Sequence, residues 1–245
     1  MTATPTITAM HGATLFDAGT NVQFANALAR DGIVRIESPP ALFGASRFPD
    51  ARVLYDELRK LFALPSSVLE QYRADAQHGE GYTPPGIERV VGYDPDPSRR
   101  FWDVRNPWRY PNIFPVGFPE LRDACAALFM ASENVCGLVL RTLEQRWRGT
   151  HEHAVPSVRS ADGGDHLLRL YHYSPLPPDA ETAVRFPPHR DFGLLTMFLD
   201  GAEPGLEVEI GGQWHPAHAR VGSATVIGGR VLSMLSRFGA SGVSV

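Results

Sequence analysis

The chain predicts an α+β fold in which helices come first and an antiparallel β-sandwich or barrel follows. Three observations carry that expectation. Apolar residues keep the 3, 4 spacing of buried helix faces in several stretches up to about Arg148. From His166 onward the period shortens to brief apolar or alternating runs separated by Gly, Pro and Asp. The 21 prolines and 23 glycines are spread along the chain, which suits many turns more than a helical bundle.

In order, Thr20 to Arg30 reads as a helix, with Thr20 as its cap, Phe24 and Leu28 on one face, and Gly32 at its end. Ile33 to Ile36 alternates as a short strand before Pro39-Pro40. A second helix runs from about Asp50 to Phe62 on a stripe of Leu54, Leu58, Leu61 and Phe62, and Pro65 stops it. Ser67 to Glu70 has the S-x-x-E form of a capping box that opens a short further helix. Residues 77–118 read as a loop-rich stretch packed down by Trp102, Trp108, Tyr110 and Phe114.

Pro119 fits the first turn of a long helix to about Arg148, with Leu121, Cys125, Leu128, Ser132, Val135, Val139 and Leu143 along one side. Strands are expected at 166–173, 194–199, 206–210 and 224–227. Gly211-Gly212 is the signal for a two-residue hairpin between 206–210 and 213–215. The whole is expected to form one domain, 1–245, made of an N-terminal helical and loop region (1–118), the long helix (119–149) and a β core (150–245).

Composition narrows the classes of function. The 245 residues are 43% apolar, enough for a substantial core. A net charge of −4 and the absence of a basic cluster argue against a nucleic-acid partner. No apolar run approaches the roughly 20 residues that span a bilayer, so no membrane partner is expected. The N-terminus lacks the charged and apolar regions of a secretory signal, which makes a cytoplasmic location the default. Cys125 and Cys136, eleven residues apart on one helix, are separated by roughly 16 Å and read as core thiols rather than a disulfide.

The chemistry concentrates in FPPHRDFGLLTMFL, residues 186–199. In an extended strand residues i and i+2 point the same way, so His189 and Asp191 can converge on one point. One neutral nitrogen donor and one anionic oxygen donor suit a borderline divalent metal such as Fe(II). A lone His-x-Asp is a weak motif, because chance supplies many.

Its surroundings make it specific. ALARDGIVRI, LRKLFALPSSVLEQY, GEGYTPPGIE, RRFWDVRN, NIFPVGFPELRDA, LLRLYHYSP, HRDFGLLTMFL, and the pair GLEVEIGGQWHPA and GSATVIGG stand in this order along nearly the whole chain. In that order they resemble the isopenicillin N synthase-like family of Fe(II)-dependent oxygenases, most of which also use 2-oxoglutarate. The resemblance implies a double-stranded β-helix, or jelly-roll, core flanked by the N-terminal and central helices. It implies a facial triad of a His-x-Asp pair and a distal His, with three positions left open for the keto acid and O₂. On that pattern His189 and Asp191 carry over as catalytic metal ligands, and Tyr173 as a contact to the 2-oxoglutarate carboxylate. The Asn that many relatives carry two residues earlier is Tyr171 here.

The implied activity is oxidation of a small-molecule substrate by O₂ with Fe(II) and 2-oxoglutarate. Hydroxylation is the default outcome, and desaturation or ring closure needs the same parts. Two alternatives stand beside it. One is an oxygenase-fold protein without a complete iron site, acting as a non-redox enzyme or binding protein. The other is an oxidase of the isopenicillin N synthase type that does not use 2-oxoglutarate.

The distal His should follow the strand after GSATVIGG, yet the histidines after Asp191 are only His215 and His218, both in the hairpin region. Three readings stand: the chain is part of a longer enzyme, the site is a natural two-residue one completed by water, His215, His218 or a partner chain, or the metal has been abandoned. The first is the expectation, because ending at Val245 leaves a strand edge open.

Other polar residues have plainer readings. Arg169 alternates with Leu168 and Leu170 and is expected either to bind a substrate or keto-acid carboxylate or to form a strand-face salt bridge. His151 and His153 read as solvated loop residues, and His166 and His172 as core or substrate contacts on one strand face. Phe101, Trp102 and Trp108 line the substrate mouth or hold down the central segment. Arg230 stands where relatives often carry Asp, and no function follows for it.

Overall fold

A computed structural model describes residues 7–12, 21–37, 51–75, 79–148, 165–175, 185–199, 204–217 and 222–235. Its chain falls into two compact units, Met1–Pro49 with Met130–Gly164 and His189–Val245, and Asp50–Phe129 with Asp165–Pro188.

The first unit is built on a four-stranded sheet. Strand β1 (Ala9–His11) runs parallel to β2 (Ile33–Glu37), and the helix α1 (Asn21–Asp31) lies between them in sequence. Numbered along the chain, β9 (Ser223–Gly228) pairs antiparallel with β2 on one side and with β6 (Leu195–Leu199) on the other. The order is therefore β1-β2-β9-β6, and β9, central in the sheet, is buried from Ser223 to Ile227.

Phe24, Ala25, Ala27 and Leu28 of α1 pack with Val34, Ile36 and Val226 of the sheet. Val135, Val139 and Leu143 come from the second half of α4 (Pro119–Arg148) and complete this core. Each of the Val, Leu, Ile and Phe side chains among them contributes about 1.5–3 kcal/mol by leaving water. A second cluster of Ile7, Ile33, Val208, Ala217 and Ile227 seats the hairpin of β7 (Glu207–Ile210) and β8 (Gln213–Pro216). Gly211 and Gly212 turn that hairpin with φ of 61° and 80°, the positive pair that a tight I′ turn requires. The short helix α5 (Arg230–Leu235) follows β9.

The second unit holds α2 (Ala51–Phe62), α3 (Ser66–Leu69), a 3-10 turn (Glu70–Tyr72) and the first part of α4. It also holds an antiparallel sheet of β3 (Gly81–Thr83), β4 (Arg99–Arg105) and β5 (Leu167–Tyr173). The predicted stripe of α2 is buried as expected.

Most of the predicted order is observed, with three differences. The stretch 77–118 is not all loop: β3 and β4 lie in it, and Trp102 is fully buried at the centre of β4, stacked on Phe114 and close to Tyr72 and Tyr82. The capping box at Ser67 does not form. Helix α3 starts two residues earlier than that box requires, its N-cap is Pro65 with no side-chain hydrogen bond, and the Pro65 carbonyl accepts from Val68 and Leu69. Thr20, the predicted cap of α1, lies outside the described residues. Finally, α4 is long and apolar enough to cross a membrane by length and composition, contrary to the expectation drawn from apolar runs. Of its predicted stripe, Leu121, Cys125, Leu128, Val135, Val139 and Leu143 are nonetheless buried within the protein, and Ser132 is half-buried. Both cysteines on it are free, and burial pushes each thiol up to about 12.

Candidate metal centre

His189 and Asp191 lie in the first unit, in the irregular segment that leads into β6 rather than in a strand. Pro187 and Pro188 restrict the backbone ahead of them, since each proline fixes its own φ and biases the preceding residue toward extended conformations. The sequence expectation of a strand was wrong in type but right in consequence. The two side chains converge, with His189 Nε2 3.2 Å from Asp191 Oδ1 and about a fifth of each side chain exposed.

That separation fits a shared cation. Two donors bound at about 2.1 Å and at right angles, as in an octahedral shell, lie about 3 Å apart. An imidazole nitrogen and a carboxylate oxygen form the donor set that non-haem Fe(II) takes, and partial exposure leaves an approach for further ligands. Among the described residues no third His, Cys, Asp or Glu joins the pair. His215 is buried on β8 opposite Val208 and belongs to no such group. His218, His151 and His153 lie outside the described residues.

Arg169 and Tyr173 belong to the second unit, on β5. The antiparallel register places Asp103 opposite Arg169, Phe101 opposite Tyr171 and Arg99 opposite Tyr173, so these six side chains share one face. Arg169 donates from Nε to Asp103 Oδ1 at 2.7 Å and from Nη2 to Oδ2 at 2.8 Å, and its Nη1 donates to Glu88. Its guanidinium also stacks over Phe101, 4.0 Å from the ring centre. Of the two roles open to it from sequence, the strand-face salt bridge is the one formed here.

Burial works to lower the Arg169 pKa, but the hydrogen bonds and charge of Asp103 raise it on balance. Burial likewise holds the Asp103 carboxyl above the usual range, against the pull of Arg169. Tyr173 is raised by burial, with Arg99 opposing, so its hydroxyl stays protonated at neutral pH. On the opposite face of β5, the half-buried His172 accepts from Arg100 Nε at 3.3 Å and packs against Phe62, which makes it a packing contact.

Sequence reasoning missed Asp103, Glu88, Arg99 and Arg185 as members of this network. Arg99 packs its guanidinium 3.6 Å over Phe186 and pairs with Glu88 at 3.1 Å. Arg185 donates to Ser98 Oγ and the Ser174 carbonyl, both at 2.7 Å. The signal was present in RRFWDVR, where Arg99, Phe101, Asp103 and Arg105 alternate on one side of a strand.

The model of the 2OG-Fe(II) oxygenase superfamily matches residues 164–240, which include β5 through β9 and the His189–Asp191 pair. A 2-oxoglutarate-dependent dioxygenase from Didymella fabae is 30% identical over 124 residues, 45% of this chain and 33% of that protein. The 2'-deoxymugineic-acid 2'-dioxygenase of Hordeum vulgare is 44% identical over 52 residues, 21% of this chain and 15% of its own. The chain thus spans a third or less of the length of these curated relatives.

Among solved structures, a protein of Caulobacter crescentus described as of the 2OG-Fe(II) oxygenase family superposes with a TM-score of 0.73 at 25% identity, over 98% of this chain and 79% of that one. JOX2, solved in complex with 2OG, Fe and JA, shares the fold with a TM-score of 0.75 at 21% identity, over 97% and 69% of the two chains. The α+β class with a jelly-roll core is therefore the fold of this chain. The superfamily's model lies across the segment that carries the His-x-Asp pair, and a solved protein of that family superposes over almost the whole chain, so the chain is similar to the 2OG-Fe(II) oxygenase superfamily over residues 164–240 and shares its fold.

Proposed function

We propose that this protein is a mononuclear non-haem Fe(II), 2-oxoglutarate-dependent oxygenase that hydroxylates a small organic substrate, with His189 and Asp191 as two of the iron ligands. The observation that carries the reading is the convergence of the imidazole and carboxylate to 3.2 Å on a partly exposed segment. When bound, Fe(II) and 2-oxoglutarate supply the oxidation: O₂ is consumed, the keto acid leaves as succinate and CO₂, and one oxygen atom enters a substrate C–H bond.

The chain's own contribution is to hold donors and exclude competing chemistry. His189 offers a neutral nitrogen and Asp191 an anionic oxygen, which together leave part of the cation's charge for an anionic keto acid to neutralise. Tyr173 is proposed, on the resemblance, as a hydroxyl donor to a keto-acid carboxylate, a role that its raised pKa suits. Arg169 is proposed as the residue that keeps the Tyr171–Tyr173 face in place through Asp103 rather than as a direct anchor.

The test is anaerobic titration of the protein with Fe(II) and 2-oxoglutarate, followed by exposure to O₂. A weak visible charge-transfer band and O₂-dependent succinate are expected. A folded sample that shows neither would end the assignment.

A further inference from the structure

We infer that the chain entering α5, with Gly229 at its centre, is the positioning element that fixes the backbone of the His189–Asp191 segment. This inference rests on the function proposed above. The β6–β9 ladder ends at the pair Leu195 and Gly228, but the two chains continue side by side beyond it. The Gly229 N–H donates to the Leu194 carbonyl at 2.9 Å, and the Arg230 N–H to the Asp191 carbonyl at 2.7 Å. The Val231 N–H is shared between the carbonyls of Gly193 at 3.2 Å and Phe192 at 3.3 Å. Four consecutive carbonyls, from the Asp191 ligand position to the start of β6, are thereby held by three N–H groups. Those of Arg230 and Val231 lie in the first turn of α5, where an N–H has no acceptor within its own helix.

The approach is so close that only glycine fits. A Cβ on Gly229 would lie 2.2 Å from the Gly193 oxygen, 2.8 Å from the Gly193 carbon and 3.0 Å from the Asp191 oxygen, all backbone atoms. The neighbouring glycines differ. At Gly228 a Cβ would meet the flexible end of Leu232 at 3.1 Å, and at Gly193 nothing nearer than the Leu195 oxygen at 3.8 Å. The requirement at Gly229 is therefore space. Satisfying it with alanine means shifting the turn that carries Asp191 by about 1 Å, the scale of misplacement at which positioned chemistry fails. Metal–ligand distances tolerate only about 0.2 Å.

The experiment titrates Co(II), read by its visible ligand-field bands, in the presence of 2-oxoglutarate into the full chain and into Gly229→Ala, Gly228→Ala and Gly193→Ala. Gly229→Ala is expected to weaken Co(II) binding roughly 10–100-fold, the range seen when groups that orient ligands are lost. The other two variants should stay near wild type. A second readout needs no variant: saturating wild type with Zn(II) should slow hydrogen exchange at the Arg230 and Val231 amides and leave those of α2 unchanged. Equal Co(II) affinity in Gly229→Ala and wild type overturns the inference, and so does an absence of metal-dependent protection at Arg230 and Val231. A wild type that binds no metal at all overturns the proposed function, and the inference falls with it.

Discussion

Two carboxylates, the partly exposed Asp191 in the first unit and the buried Asp103 in the second, sit beside nitrogen groups at similar distances and do different things. Asp103 is gripped at both oxygens by the Arg169 guanidinium, at 2.7 and 2.8 Å. Arginine keeps its proton and has no lone pair to offer a metal, so that pair is closed: it neutralises itself and ties β4 to β5. Asp191 instead faces an imidazole nitrogen at 3.2 Å. A neutral imidazole carries a lone pair that a metal can take, so the same charge becomes half of a donor set. The partner, more than the carboxylate, decides whether the charge serves the structure or the chemistry.

Substitutions can break the comparison at either end. The largest expected effect is on activity: His189→Ala or Asp191→Ala should abolish O₂-dependent succinate formation while thermal unfolding changes little. Succinate at the wild-type rate from either variant would show that the wrong pair was chosen. At the closed pair the effect should fall on stability. Asp103→Ala leaves the Arg169 charge without its main partner and is expected to cost about 3 kcal/mol by urea unfolding, the low end for a broken buried pair. The low end applies because the Arg169 side chain keeps 26% of its surface exposed. Replacing both residues, as in Asp103→Leu with Arg169→Met, should recover much of that loss, and a double variant as unstable as Asp103→Ala would refute the pairing argument.

The same contrast explains what could be read from the sequence. The His-x-Asp pair is local, two residues apart behind two prolines, and its convergence survives even though its segment is irregular rather than a strand. Helix α4 was legible because Pro119 opens it and its buried stripe is periodic, and the hairpin because Gly211-Gly212 permits one tight turn. Strand β4 was hidden. It lies in a stretch that reads as loop-rich, and what neutralises its charges, Arg169 on β5 and Glu88 in the preceding loop, is remote or irregular in the chain. The role of Gly229 was likewise hidden, because nothing in GGRV reports that the Asp191 and Gly193 carbonyls, far upstream in the chain, will press against it.

The smallest expected effect sharpens the point about partners, since His172 is an imidazole turned to structural use. Its pKa is lowered below the ordinary 6.5, first by burial and then by the Arg100 charge, so folding favours the neutral ring that accepts from Arg100 Nε. The stability that comes from keeping this ring neutral is fully present above pH 6.5 and is lost as pH falls through the lower folded-state value. His172→Gln keeps a hydrogen-bonding side chain without the titration, so part of the fall in melting temperature between neutral pH and pH 5 should vanish in that variant. Wild type and variant melting in parallel across that range would show that His172 contributes nothing to the acid limb.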